Sequence, residues 1–266
     1  MNIRQCYISV PIRGSRFTHF LSKYGLVPYG NKNLSSFFFG LYNSKEDIKT
    51  LKRHKNLAVV IWRGGDIFRP GHLKIVRDLD FATSIAISSF IEDDLRQKRM
   101  SYKFLPIVSV PTKHLVAEPL GQEVYAYIGN KKKGDVYGSK LIDKVAGCTR
   151  FKINVVTSAD EYTKEQIVDL YKRCFCGFRF TKHDGIANTV IELGLMGRKC
   201  FYNGRGVPNA IPWNSNDVNN VIQNIEKEAL KIGQIDHGIS RQVREYITLG
   251  KDWLKTSFYG DKKCQR

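Results

Sequence analysis

Short apolar runs, some of them unbroken as at 37–39 and 57–62, alternate with amphipathic helical stretches along the whole chain, and that rhythm leaves few folds open. A strand buried on both faces reads as a continuous apolar run, and a helix-covered parallel sheet buries both faces. The runs fall at residues 6–12, 36–41, 57–62, 83–87 and 104–110, then again at 124–128, 151–156, 176–180 and 199–202. Helical stretches stand between them: from a cap at Ser44 through Lys55, from Ser88 or Ser89 to about Arg99, then 139–145, 163–173, 186–196, 216–231 and a long last one, 240–258. Residues 111–122 carry two prolines and a glycine and read as a linker. The expected architecture is α/β, with two Rossmann-like lobes spanning 1–118 and 119–266 and a cleft between them.

The chain is long enough for two such cores, with 266 residues, 42% of them apolar. Its formal charge of +18 attracts phosphate-rich partners such as nucleotides, nucleic acid or anionic surfaces, and serves equally as a solubility device. The six cysteines, at 6, 148, 174, 176, 200 and 264, form no CxxC pair, and no histidine lies at zinc-finger spacing. They read as reduced core thiols of a cytoplasmic protein with no structural metal. The first residues lack the apolar stretch of a signal peptide, and no run reaches the roughly 18 apolar residues of a membrane span.

Three loops carry candidate chemistry. The first, 129–138, follows a strand, precedes a helix and is bounded by glycines. Backbone N–H groups and a helix start can hold phosphate there, with Gly129 at the turn and Lys131, Lys132 and Lys133 adding charge. A solvated lysine run fits the same residues, and neither GxGxxG nor GxxxxGK[ST] is present. The second is the turn Thr181-Lys182-His183-Asp184-Gly185 leading into a helix that carries Thr189 and Glu192. A helix carboxylate beside a ligand can accept both hydroxyls of a ribose; a capping Asp and an exposed Glu are the plainer reading. The third, Arg63-Gly64-Gly65-Asp66, lies at the C-terminal edge of a strand, where ligands bind in open α/β sheets. Asp78-Leu79-Asp80 offers two hard carboxylates for a divalent cation, but falls in the half away from the phosphate loop.

Asp184 and Glu192, with seven residues between them, then Gly194-Leu195-Met196-Gly197-Arg198-Lys199, resemble the donor-binding signature of GT-B glycosyltransferases, especially the large retaining group. The commoner Glu is replaced by Asp184, and the proline of that signature is missing. The resemblance covers residues 124–232; the first half shares only the β/α rhythm, which implies a shortened acceptor lobe. The chain is also similar to small glycosyltransferase-like proteins of large DNA viruses and phages. The resemblance implies that the C-terminal lobe holds a nucleotide-diphosphate sugar, UDP-sugar first, with Glu192 on the ribose and Thr189 near the diphosphate. Asp184, beside His183 and Gly185, would face the transferred sugar. Arg179 or the three lysines would neutralise the leaving diphosphate. Gly64 and Gly65 would line the acceptor side, and Asp66 would be the general base of an inverting enzyme; a retaining one needs none. It further implies no bound metal or other cofactor and a last helix that crosses back to the first lobe.

The expected activity is therefore transfer of a sugar, a hexose by preference, to an acceptor. The charge suggests a polyanion such as DNA bearing a hydroxymethylated base; a glycan fits as well. The other class is a non-catalytic nucleic-acid-binding protein on a degenerate Rossmann scaffold.

Overall fold

The computed structural model describes residues 3–12, 15–108, 111–129, 136–250, 252–256 and 258, with the backbone alone of 15–19. The chain forms two compact units. The first comprises Met1–Ser109, His183–Ile186 and Thr248–Arg266; the second comprises Val110–Lys182 and Ala187–Ile247.

The first unit is built from β1 (Gln5–Ile8), α1 (Ser15–Tyr24), β2 (Val27–Pro28), β3 (Ser36–Phe39), α2 (Glu46–Arg53), β4 (Ala58–Ile61), α3 (His72–Arg77), β5 (Ala82–Ala86), α4 (Ser89–Gln97) and β6 (Tyr102–Phe104). Among the described residues its six strands are all parallel, in the order β2-β1-β3-β4-β5-β6. The unbroken runs lie at the centre: Phe37 pairs with Cys6 on one side and Val59 on the other, and all of β3 and β4 is buried. Ser88 caps α4, its hydroxyl accepting the Ile91 N–H at 3.4 Å. Ser44 does not cap α2, and Asn43 closes the turn ahead of it. Asn43 Oδ1 accepts the amides of Lys45 and Glu46, and buried Asp47 accepts the Asn43 amide at 2.7 Å. Ser44 is engaged instead with the His72 ring at 3.0 Å.

The second unit is built from β7 (Glu123–Tyr127), α5 (Ser139–Ala146), β8 (Ile153–Val156), α6 (Lys164–Arg173), β9 (Cys174–Phe178), α7 (Asn188–Leu195), β10 (Lys199–Phe201), β11 (Ala210–Ile211), α8 (Val218–Ala229) and α9 (His237–Thr248). Its strands are also parallel, in the order β11-β10-β9-β7-β8. Thr163 opens α6 with a full capping box: its hydroxyl accepts the Gln166 amide, and the Gln166 side chain accepts the Thr163 amide at 2.8 Å. Arg198 is wholly buried after α7, and its guanidinium donates to the carbonyls of Tyr171, Cys174, Pro119 and Met196. One cation thus closes the carbonyl ends of both α6 and α7, where the helix dipole favours positive charge.

Several expected boundaries move. β1 stops at Ile8 and gives way to a 3-10 turn, Val10–Ile12, because buried Asp47 takes the Val10 amide at 3.3 Å out of the ladder. β6 occupies Tyr102–Phe104, ahead of Pro106, which has no N–H to pair. The last helix runs His237–Thr248 and ends there, with a separate 3-10 turn at Trp253–Lys255. Just past the break, a Cβ on Gly250 would lie 2.5 Å from the Pro106 carbonyl oxygen, so the chain at this point fits close against backbone.

Candidate active site

In an open parallel sheet the ligand crevice lies at the strands' C-terminal edge, where outgoing connections diverge. In the second unit that point lies between neighbouring β7 and β9, whose chains leave toward β8 on one side and β10 on the other. Gly129 follows β7 with φ of +60°, and a Cβ there would stand 2.5 Å from the Tyr137 ring. Arg179 follows β9. Its guanidinium lies over the rings of Tyr127 at 5.1 Å and Tyr137 at 4.6 Å, and its amide donates to the Phe201 carbonyl at 3.0 Å. The side chain is 7% exposed, so the two rings and the sheet edge preorganise its charge. Lys131, Lys132 and Lys133 lie outside the described residues.

Helix α7 carries Thr189 and Glu192. The Glu192 carboxylate accepts the Tyr171 hydroxyl at 2.8 Å. Tyr125 packs edge-on to Tyr171 at 4.9 Å. Burial, followed by the Glu192 charge, holds the Tyr171 phenol protonated well above its ordinary range. Tyr171 was not visible as a site residue from the sequence, because it lies 21 positions from Glu192 on another helix.

The turn at His183, Asp184 and Gly185 belongs to the first unit. His183 Nε2 is 2.7 Å from an Asp94 carboxylate oxygen, and the imidazole meets the Phe68 ring edge-on at 4.4 Å. Ser88 donates its hydroxyl to the Asp184 carbonyl at 2.9 Å. Gly64, at φ of +113°, faces this turn: a Cβ on it would be 2.9 Å from the Gly185 amide, and one on Gly185 would be 2.4 Å from the Arg63 carbonyl oxygen. Both glycines are therefore set by backbone-to-backbone contact. Gly65 is exposed beside the Tyr42 ring.

Asp66 has no solvent exposure. One of its oxygens accepts the Arg63 amide at 2.9 Å and the other the Leu41 amide at 3.1 Å. Burial raises its pKa to about 6 against the lowering effect of those amides. The structure thus makes Asp66 the brace of the Arg63–Asp66 loop. A general base needs reach to the proton it removes, and that reach is not what this carboxylate's surroundings provide. Asp78 and Asp80 follow α3 and precede β5, at the N-terminal edge of the sheet, and Asp78 pairs with Arg77 at 3.3 Å. Among the described residues, no three His, Cys, Asp or Glu side chains gather as metal ligands. No helix among them is long and apolar enough to cross a membrane.

No protein-family model matches the chain, and no curated protein matches it in sequence. Solved structures do. A glycosyltransferase from Rickettsia africae superposes with a TM-score of 0.65 at 11% identity, over 96% of this chain and 98% of that one. Sucrose-phosphate synthase from Thermosynechococcus elongatus gives 0.60 at 12% identity, over 90% of this chain and 75% of that one. A TarM variant from S. aureus, in complex with fondaparinux, α-GlcNAc-glycerol and UDP, gives 0.55 at 13% identity, over 83% of this chain and 55% of that one. The chain therefore spans about half the length of TarM. With two parallel sheets and interleaved helices, its fold is that of GT-B glycosyltransferases.

Proposed function

We propose that the protein transfers a sugar, a hexose by preference, from a nucleotide-diphosphate donor held by the second unit. The observation that carries this reading is the end-to-end likeness to a glycosyltransferase, 96% of one chain on 98% of the other. One feature of the second unit supports it: a buried cation, Arg179, directly follows β9 at the β7/β9 divergence. In this reading Arg179, with Gly129 and the lysines 131–133, meets the charge that develops on the departing diphosphate. A cation fixed in advance stabilises that charge without reorganising. Glu192, oriented by Tyr171, takes the donor ribose, and Thr189 lies toward the phosphates. Asp184, with His183 and Gly185, faces the transferred sugar, and Gly64 and Gly65 border the acceptor. UDP is the first donor to test, since a structural neighbour was solved with it. We read the transfer as retaining and metal-independent: protein cations serve the leaving group, and Asp66 braces a loop.

A donor screen tests the reading. Purified protein is incubated with UDP-, GDP- and ADP-hexoses, and release of nucleoside diphosphate is measured. Slow hydrolysis of one donor class above the blank is the expected result, and no release from any of them, with or without acceptors, rejects the transferase reading.

A further inference from the structure

Arg63 is a first-unit residue that the proposed chemistry leaves unused. Its Nη1 is buried and has no hydrogen-bond partner among the described residues. A guanidinium N–H buried without a partner costs free energy that a ligand oxygen can recover. The guanidinium lies over the Phe39 ring at 4.5 Å, which fixes its plane. Around it are the Tyr42 phenol and the charges of Asp66 and Asp184, and burial pulls its pKa down against them. The Tyr42 ring stands beside Gly40 and Gly65, and its phenol feels Asp66, Arg63, Asp184 and Arg69. All of these residues belong to one unit and to the C-terminal ends of β3 and β4 or the turn at 183–186.

The charges decide what such a site takes. Arg63 and Arg69 are cationic, and Asp66 and Asp184 are anionic, so the group is close to neutral despite the +18 of the whole chain. A phosphate offers only acceptor oxygens and two negative charges, which the charges of Asp66 and Asp184 oppose. A hydroxyl both donates and accepts, and so matches a mixed set of donors and carboxylates. We propose that Arg63 and Tyr42 form the acceptor subsite, and that it takes an uncharged hydroxyl of a sugar or polyol. The hydroxyl oxygen accepts from the guanidinium, and its proton points to the carboxylate side at Asp184. The inference rests on the transferase reading and adds the class of acceptor to it.

The test is acceptor competition in the wild-type protein, followed by two variants. With the best donor from the screen, transfer is measured to methyl α-glucoside, sucrose and glycerol, and to glucose 6-phosphate and a single-stranded DNA oligomer. Neutral acceptors are expected to exceed the phosphorylated sugar and DNA at least tenfold in kcat/KM. Arg63→Met is expected to raise the acceptor KM at least tenfold while the donor KM moves less than threefold, and Tyr42→Phe to raise the acceptor KM to a smaller extent. A preference for glucose 6-phosphate or DNA overturns the inference and leaves the transferase reading standing. So does donor hydrolysis that no neutral acceptor diverts into product, or an acceptor KM that ignores both variants. If Arg63→Met does not fold, the wild-type competition and Tyr42→Phe decide. No nucleotide release under any condition rejects the transferase reading, and this inference with it.

Discussion

Asp66 shows how a carboxylate can be bound into a loop at a cost that depends on pH. Its folded pKa is raised from 3.8 to about 6, chiefly by burial. Between those values the folded state binds more protons than the unfolded state, so stability falls as pH rises. The contribution linked to Asp66 is fully present below about pH 4 and lost as pH climbs through about 6. Urea unfolding of wild type and Asp66→Asn should therefore converge or cross as pH goes from 4 to 7, with a relative change on the order of 2 kcal/mol. A difference independent of pH would contradict the burial argument. Glu192 gives a second prediction. Saturating nucleotide should raise the melting temperature of wild type, since about 100-fold excess over Kd is worth about 2.7 kcal/mol. Glu192→Ala should lose most of that rise while keeping its own fold; a full rise in the variant removes the ribose assignment. The sequence marks the glycines, Asp184 and Glu192 as candidates, because their spacing is local. It hid Tyr171, Asp94 and the bare guanidinium nitrogen of Arg63, because each depends on partners brought in from other elements.

Arg198 is the element-scale counterpart, since one buried side chain closes two helices and holds the segment at Pro119. Arg198→Met keeps the stem but strips several buried carbonyls of their donor. It should destabilise the second unit by about 3 kcal/mol or more, read as a lowered urea midpoint. A shift under about 1 kcal/mol would mean that water replaces the guanidinium. The strands were the most legible elements: Phe37, Phe38 and Phe39 and the run 58–61 are apolar without a break, as double-faced burial requires. Helix α1 also leaves a signal, with Phe17, Phe20, Leu21 and Tyr24 at helical spacing, but the expected element order lacks it. Helix α3 and strand β2, six and two residues long, are too short for periodicity to register. Residues 240–258 keep an amphipathic pattern past the helix end at Thr248, and the close fit of Gly250 against distant Pro106 leaves no such local signal.

At the scale of the whole molecule, neither unit is a continuous stretch of chain. The two-part α/β architecture was legible from the restart of the rhythm after residue 122, but nothing local announced that four residues at 183–186 would be claimed by the first unit. Trp253, fully buried, packs at 4.5 Å on Phe37, 5.3 Å on Tyr24 and 5.9 Å on Phe20. Trp253→Ala should cost about 3–5 kcal/mol in the first unit, by loss of contact and a residual void. Its near-ultraviolet circular dichroism and urea midpoint would report the loss, and a variant as stable as wild type would place Trp253 outside that core. The placement of Trp253 also sets an order of events on the ribosome. The opening hundred residues emerge with an aromatic gap in their interior that only the closing segment can fill. At ordinary translation speeds they wait on the order of ten seconds for it. The second sheet, whose strands all arrive before that segment, can be complete while the first still lacks its final side chain, so the half made earlier is the half finished last.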